Sequence, residues 1–234
     1  MTTTSATAAA TAESGSSGLQ AVLLDMDGTL VDTEDFWWQA ESSLLAGYGH
    51  RLDESDRARV VGGPMTRVVD YLIDSTGVPL TAAELSLMIS QRFTELLADG
   101  VPLMPGAERL LTELAAHGVP TALVSASHRH DIDLVLRTLG ADRFAFTVAG
   151  DEVARTKPHP DPYLIAAARL GAEPSRCVVI EDSPTGILAA EAAGCQVIAV
   201  PSVAHIEAVP GRTVLESLEQ VDLALLRALV PPRV

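Results

Sequence analysis

From Ala21 onward, short apolar runs alternate with amphipathic segments of helical period, and no other feature constrains the fold as tightly. The runs "AVLLDMD" (21–27), "VPTALVSAS" (119–127), "FAFTVAG" (144–150), "RCVVIED" (176–182) and "CQVIAVP" (195–201) each read as a strand buried on both faces. Parallel strands look this way because helices cover both sides of their sheet. Between the later runs lie "PGAERLLTELAAHG" from Pro105, "HDIDLVLRTLG" from His130, "DPYLIAAARLG" from Asp161 and "PTGILAAEAAG" from Pro184. Each ends in Gly, the usual C-terminal punctuation of a helix. The alternation predicts an α/β chain with a doubly wound parallel sheet.

One stretch breaks the rhythm. Between Asp35 and Gly100 there is no strand-like run. "MTRVVDYLIDSTG" puts Met65, Val68, Val69, Leu72 and Ile73 on one helical face. "TAAELSLMISQRFTELLADG" opens with a Thr81/Glu84 capping box ahead of Leu85, Met88, Ile89, Leu96 and Leu97. A parallel crossover needs only about a dozen residues. The surplus predicts an all-helical cap over 35–100, inserted into a core made of 19–34 and 101–234.

The first eighteen residues are small and polar with Glu13 the only charge, so 1–18 read as a disordered tail rather than a secretory signal. No apolar stretch reaches the length of a membrane span. Acidic residues outnumber basic ones 31 to 16, giving a net charge of -15. Such a surface repels nucleic acid and anionic membranes, although a site can still be locally positive. Cys177 and Cys195 sit beside apolar runs without a CxxC or His-rich context, and read as buried hydrophobes in a reducing compartment. The expectation is a cytoplasmic monomer.

Ligands of an open parallel sheet bind at the C-terminal edges of its strands. The first strand delivers Asp25 and Asp27 there, the second delivers Ser125, and the fourth delivers Glu181 and Asp182; Lys157 lies in the turn before the Asp161 helix. Any one of these is explained well enough by a helix cap or a surface ion pair. The set, each at its own strand end, is not. Clustered carboxylates become tolerable around a divalent cation, and an oxygen-only donor set selects a hard ion such as Mg²⁺.

In that order and spacing, "DMDGTLVD" resembles the first motif of the haloacid dehalogenase superfamily, "VSAS" its second, the Lys of "TKPHPDPY" its third and "VVIEDSPTGILAAEAAG" its fourth. The resemblance runs from about Ala21 to Pro201, with the cap position of the subfamily containing β-phosphoglucomutase and phosphoglycolate phosphatase. It implies a Rossmann-like core and an Asp25 nucleophile that forms an aspartyl-phosphate. It further implies that Asp27 is general acid and base, its carbonyl touching the metal. Asp25 and Asp182 would hold Mg²⁺, with Glu181 a further ligand through water or an orienting residue. Ser125, Ala126 and Lys157 would hold phosphoryl oxygens, and Arg67 falls where the subfamily places a specificity loop.

The second acid, Asp27, favours phosphoryl transfer over dehalogenation, because a halide leaves without a proton. β-Phosphoglucomutases resemble a pattern with a cap His four residues after the Thr; Trp37 stands there here. "DGTLVDTE" resembles the hydrolytic members. The expected function is therefore a Mg²⁺-dependent phosphatase of a small phosphorylated metabolite such as a sugar, polyol or hydroxy-acid phosphate. A hexose 1-phosphate mutase and a non-catalytic regulator on the same fold are the alternatives. Trp37 and Trp38 are adjacent on a helix, so at most one is expected to face the site. Asp32 and Glu34 lie toward the cap hinge, His128 and Arg129 beside Ser125, and His159 in a Pro-rigid turn.

Overall fold

A computed structural model describes residues 18–230. The tail expected over 1–18 thus lies, but for Gly18, outside the described residues. Six parallel strands form one sheet in the order β3-β2-β1-β4-β5-β6. They are β1 (Ala21–Leu24), β2 (Thr121–Val124), β3 (Phe146–Val148), β4 (Cys177–Glu181), β5 (Gln196–Ala199) and β6 (Arg212–Val214). The chain winds outward one way from β1 through β2 to β3, then crosses to β4 and winds the other way. The order reverses beside β1, the place where a doubly wound sheet opens a ligand crevice.

Alternation of side chains explains why β1 carries no polar residue. Val22 and Leu24 enter the apolar cluster on one face, and Ala21 and Leu23 the cluster on the other. All four are inaccessible to solvent. Two polypeptide layers therefore clamp the central strand, and its end is held rigidly. The covering helices are α5 (Ala107–Ala116), α6 (Arg129–Leu139), α7 (Asp161–Arg169), α8 (Pro184–Ala192) and α9 (Leu223–Leu229).

Four helices fill the interval after β1: α1 (Glu34–Gly47), α2 (Glu54–Val60), α3 (Met65–Thr76) and α4 (Ala82–Leu97). They pack largely on one another, α1 and α3 against α4 and α2 against α3. The Thr81/Glu84 capping box forms, Thr81 N donating to Glu84 Oε2 at 2.9 Å and Glu84 N to Thr81 Oγ1 at 3.3 Å. On α3, Val68, Val69 and Leu72 are buried and Met65 and Ile73 flank them. Phe93 of α4 stacks on Trp37 of α1, ring centroids 3.7 Å apart and 7° from parallel.

Two features differ from the sequence reading. β6 is a sixth strand, only three residues long and half-buried, too short to show a period. The stretch "TVLESLEQVDLALLRALV" (213–230), whose apolar spacing alone predicts one final amphipathic helix, instead divides into the end of β6, a 3-10 turn at Leu218–Gln220 and the seven-residue α9. Ser217 and Asp222 interrupt it, because each side chain accepts a backbone N–H and so starts a new turn.

Candidate active site

Asp25 follows β1 directly, its N–H donating to Ile180 O of β4 at 3.1 Å. This extends the strand pairing by one residue and presents the carboxylate at the crevice. The buried Lys157 ammonium donates to Asp25 Oδ1 at 2.6 Å, Glu181 Oε1 at 2.7 Å and Val124 O at 2.8 Å. All three of its protons are thereby used. Burial alone would push this lysine down, but Asp25 and Glu181 hold it charged, well above its ordinary value. Asp25 itself is pushed up, by burial first and by Glu181 next, against the opposing pull of Lys157.

Glu181 is inaccessible to solvent, and both its oxygens are fully engaged. Besides Lys157, Tyr163 Oη donates to Oε1 at 3.0 Å; Asp182 N, Ser183 N and Ser183 Oγ donate to Oε2 at 3.0, 3.0 and 2.9 Å. Gly186 makes room for this carboxylate, since a Cβ there would lie 1.6 Å from Glu181 Oε1. The Ser183 hydroxyl also caps α8 by accepting from Gly186 N at 3.1 Å. One glutamate thus ties the lysine to the loop that carries Asp182.

Asp182 accepts from the Ser202 hydroxyl and, at 3.4 Å, from Thr29 Oγ1. Burial and the neighbouring Glu181 raise its pKa to about 7. Gly28 has φ +76°, and a Cβ there would stand 2.2 Å from Asp182 Oδ2. Only glycine satisfies both the turn and that approach. Asp27 is held from two sides: Ser127 Oγ at 2.7 Å and Ser125 Oγ at 3.2 Å donate to Oδ2, Thr33 Oγ1 at 3.0 Å to Oδ1. Burial raises its pKa although these bonds oppose the rise. A carboxyl whose pKa burial raises and which three hydroxyls orient is suited to proton transfer.

Oxygens of Asp25, Glu181 and Asp182 lie within 4.8 Å of one another and could hold a metal ion. The donors are all oxygen, and Asp25 and Asp182 are pushed up by burial first and by the charge of Glu181 next, a charge imbalance that a divalent cation would relieve. The residues therefore fit a hard cation.

Asp25, Asp27, Ala126, Lys157 and Asp182 open onto one cavity of about 530 Å³ between the sheet edge and the inserted helices. Ser125 sits just behind it, 1% exposed, with its hydroxyl turned to Asp27. Arg67 is exposed on α3, its guanidinium over Gly63, and does not line the cavity. Trp37 and Trp38 both line it, contrary to the expectation of one. The cavity lies along the helix rather than over a single face, so neighbours roughly 100° apart can both border it. Glu34 and His128 line it too; Arg129 instead pairs with Glu152 and Asp133, and His159 bonds within its own turn.

Sequence reasoning missed Thr33, Ser127, Tyr163, Ser202 and Glu41. Ser127 could have been found: it closes the run "VPTALVSAS" two residues after Ser125, and the chain bends there so that Ser127 N donates to Ser125 Oγ at 3.0 Å. Thr33 precedes α1 in the position of a cap, but its hydroxyl serves Asp27 and not the helix. The others become neighbours of the site only through the tertiary fold.

A family model described as haloacid dehalogenase-like hydrolase matches residues 22–200, and the chain belongs to this family. It is 36% identical over 183 residues (77% of its length, 48% of the relative's) to a bifunctional riboflavin kinase/FMN phosphatase of Arabidopsis thaliana. The chain thus spans about half the length of that relative. It is 33% identical over 188 residues to hexitol phosphatase B of Escherichia coli strain K12, covering 78% of this chain and 83% of the relative. Among solved structures, a mutant of CbbY from Rhodobacter sphaeroides in complex with xylulose-(1,5)bisphosphate superposes with TM-score 0.74 at 28% identity. That likeness covers 89% of this chain and 99% of the other. By class the chain is a phosphoric monoester hydrolase, and its relatives act on small phosphorylated molecules.

Proposed function

We propose that this protein is a Mg²⁺-dependent phosphatase of a small phosphorylated sugar or polyol, working through an aspartyl-phosphate on Asp25. The observation that carries the reading is the placement of Asp25 and Asp27 at the end of one central strand, on the same cavity as Lys157 and Asp182.

In the first half-reaction an Asp25 oxygen bonds to phosphorus as the bond from phosphorus to the alcohol oxygen breaks. Asp27 delivers its proton to the departing alkoxide. In the second half Asp27 takes a proton from water, whose oxygen bonds to phosphorus while the bond to Asp25 breaks. Inorganic phosphate leaves, and Asp25 and the proton on Asp27 are restored. Lys157 offsets the charge of Asp25 so that an anionic phosphoryl group can approach it. Asp25, Asp182 and the Asp27 carbonyl would hold the cation, with Glu181 orienting the lysine and the Asp182 loop. Bound Mg²⁺ would supply charge neutralisation of the phosphoryl oxygens.

The helices of 35–100 act in this reading as a cap over a core of 19–34 and 101–234. Trp37, in the place of the mutase histidine, supports hydrolysis, since an indole stands where the mutase pattern carries an imidazole. Cys177 and Cys195 are buried, free thiols pushed up to about 11 and about 12, which suits a reducing, cytoplasmic setting. No described helix is long and apolar enough to cross a membrane.

The test is phosphate release from p-nitrophenyl phosphate with Mg²⁺ and after its removal by EDTA. Activity is expected only with the metal, and Asp25→Asn is expected to abolish it. Full activity in that variant contradicts the reading, and conversion of β-glucose 1-phosphate into glucose 6-phosphate without free sugar would place the chain with the mutases.

A further inference from the structure

Glu41 is 4% exposed, yet its carboxyl makes no hydrogen bond within the described protein, and it lines the same cavity as Asp25 and Asp27. No wholly inaccessible side-chain N or O among the described residues lacks a partner. The oxygens of Glu41 must therefore reach the cavity, which is what its small remaining exposure represents. Buried polar groups are almost always paired, and one left open toward a binding chamber asks for a partner from the ligand.

Its surroundings define that partner. Glu34 lies two turns before it on the same side of α1, and Ser86 and Ser90, one turn apart on α4, line the cavity with hydroxyls that make no hydrogen bond within the described protein. Trp37 and Trp38 add apolar surface against which a carbon chain can lie. Cations are nearly absent: the lining holds Lys157, whose protons are all committed, and His128. Asp131, accepting from Thr94 Oγ1 at 2.6 Å, adds a further acid.

We propose that Glu41, with Ser86 and Ser90, selects the alcohol part of the substrate, a neutral chain bearing several hydroxyls and no second anionic group. The inference rests on the phosphatase reading above and narrows its substrate class. Hydroxyls both donate and accept, matching a carboxyl and two serines at once; an ammonium only donates and leaves the serine protons without acceptors. A substrate carboxylate or second phosphate would be buried among acids with no counter-charge, a strongly unfavourable placement. Burial and the nearby Glu34 push the Glu41 carboxyl up to about 8, consistent with a group that lacks compensation until a ligand arrives.

The experiment compares kcat/KM of the Mg²⁺-loaded protein for sorbitol 6-phosphate, phosphoglycolate, phosphoethanolamine and p-nitrophenyl phosphate. The polyol is expected to exceed phosphoglycolate and phosphoethanolamine by at least about tenfold. In Glu41→Leu the ratio of the polyol to p-nitrophenyl phosphate should fall about tenfold or more, mainly through KM. Glu41→Gln, which keeps hydrogen-bonding oxygen and nitrogen, should retain most of the ratio. The double variant Ser86→Ala/Ser90→Ala should lower it independently of any effect of Glu41 on folding. An unchanged ratio in both Glu41→Leu and the serine pair, or a preference of the natural protein for either charged substrate, overturns the inference while leaving the phosphatase intact. Failure to cleave p-nitrophenyl phosphate at all sinks the phosphatase reading, and the inference falls with it.

Discussion

Lys157 and Glu181 are joined at 2.7 Å with neither reaching bulk solvent, the lysine side chain 3% exposed and the glutamate 0%. The same ammonium meets Asp25 at 2.6 Å, so one buried cation serves two carboxylates from different strands. Lys157→Met should lower kcat by at least about a hundredfold, because the charge facing the phosphoryl group then rises. It should also destabilise by about 3–5 kcal/mol through the unpaired acids left behind. Adding Glu181→Gln should restore part of the stability but none of the activity, as denaturant titration and phosphate release on the two variants would show. Recovery of both together would mean that the lysine matters only for folding.

Ser127 and Thr33 approach Asp27 from opposite oxygens, at 2.7 Å and 3.0 Å. Each hydroxyl restricts rotation of the carboxyl that must first give and then take a proton. Ser127→Ala and Thr33→Val should each reduce kcat about tenfold, the order of one hydrogen bond, with smaller effects on KM. Steady-state kinetics on both singles and the double should reveal less than additive losses, since the two bonds orient one group. Losses confined to KM would assign these residues to binding.

Gly28 stands at φ +76° with its α-carbon against Asp182. In Gly28→Ala the new methyl must displace the Asp182 carboxylate, and the backbone is strained besides. A stability loss of about 1–3 kcal/mol is expected in thermal unfolding. The sharper readout is the Mg²⁺ concentration for half-maximal activity, which should rise because one proposed ligand is displaced. An unchanged metal requirement would argue against Asp182 as a ligand.

Much of this site can be read from the chain because β1 and β4 are central strands. Both are buried along their whole length and pair residue for residue in parallel, so the acids after Leu24 and within "VVIED" emerge at the same edge. The helical character of 35–100 was legible from period and capping, since Thr81 and Glu84 form their box locally. What escaped depends on chain segments far apart in sequence. Tyr163 reaches Glu181 from α7, and Ser202 reaches Asp182 from beyond β5. Glu41 looks like one more polar residue of α1 until α4 closes beside it. β6 is invisible for another reason: three half-buried residues carry no pattern that distinguishes them from a loop.

Glu41 also sets a pH dependence of stability that can be isolated. Burial and then the charge of Glu34 raise its carboxyl from the ordinary 4.5 of the unfolded chain to about 8 in the folded protein. Between those values the folded chain keeps a proton that the unfolded chain has released, so this residue's contribution falls as pH rises. Below the lower value both states are protonated and the residue is neutral in its effect. Glu41→Gln removes the titration, and should match the natural protein in melting temperature near pH 4.5 but exceed it at pH 8.5. One pKa unit corresponds to about 1.4 kcal/mol, and for a chain of this size each kcal/mol moves Tm by about 2–4 °C. A gap of about 10 °C or more at pH 8.5 is therefore expected. The other buried acids titrate in both proteins alike and largely cancel in the difference, so a gap that does not change with pH would show that Glu41 is not held protonated by its surroundings.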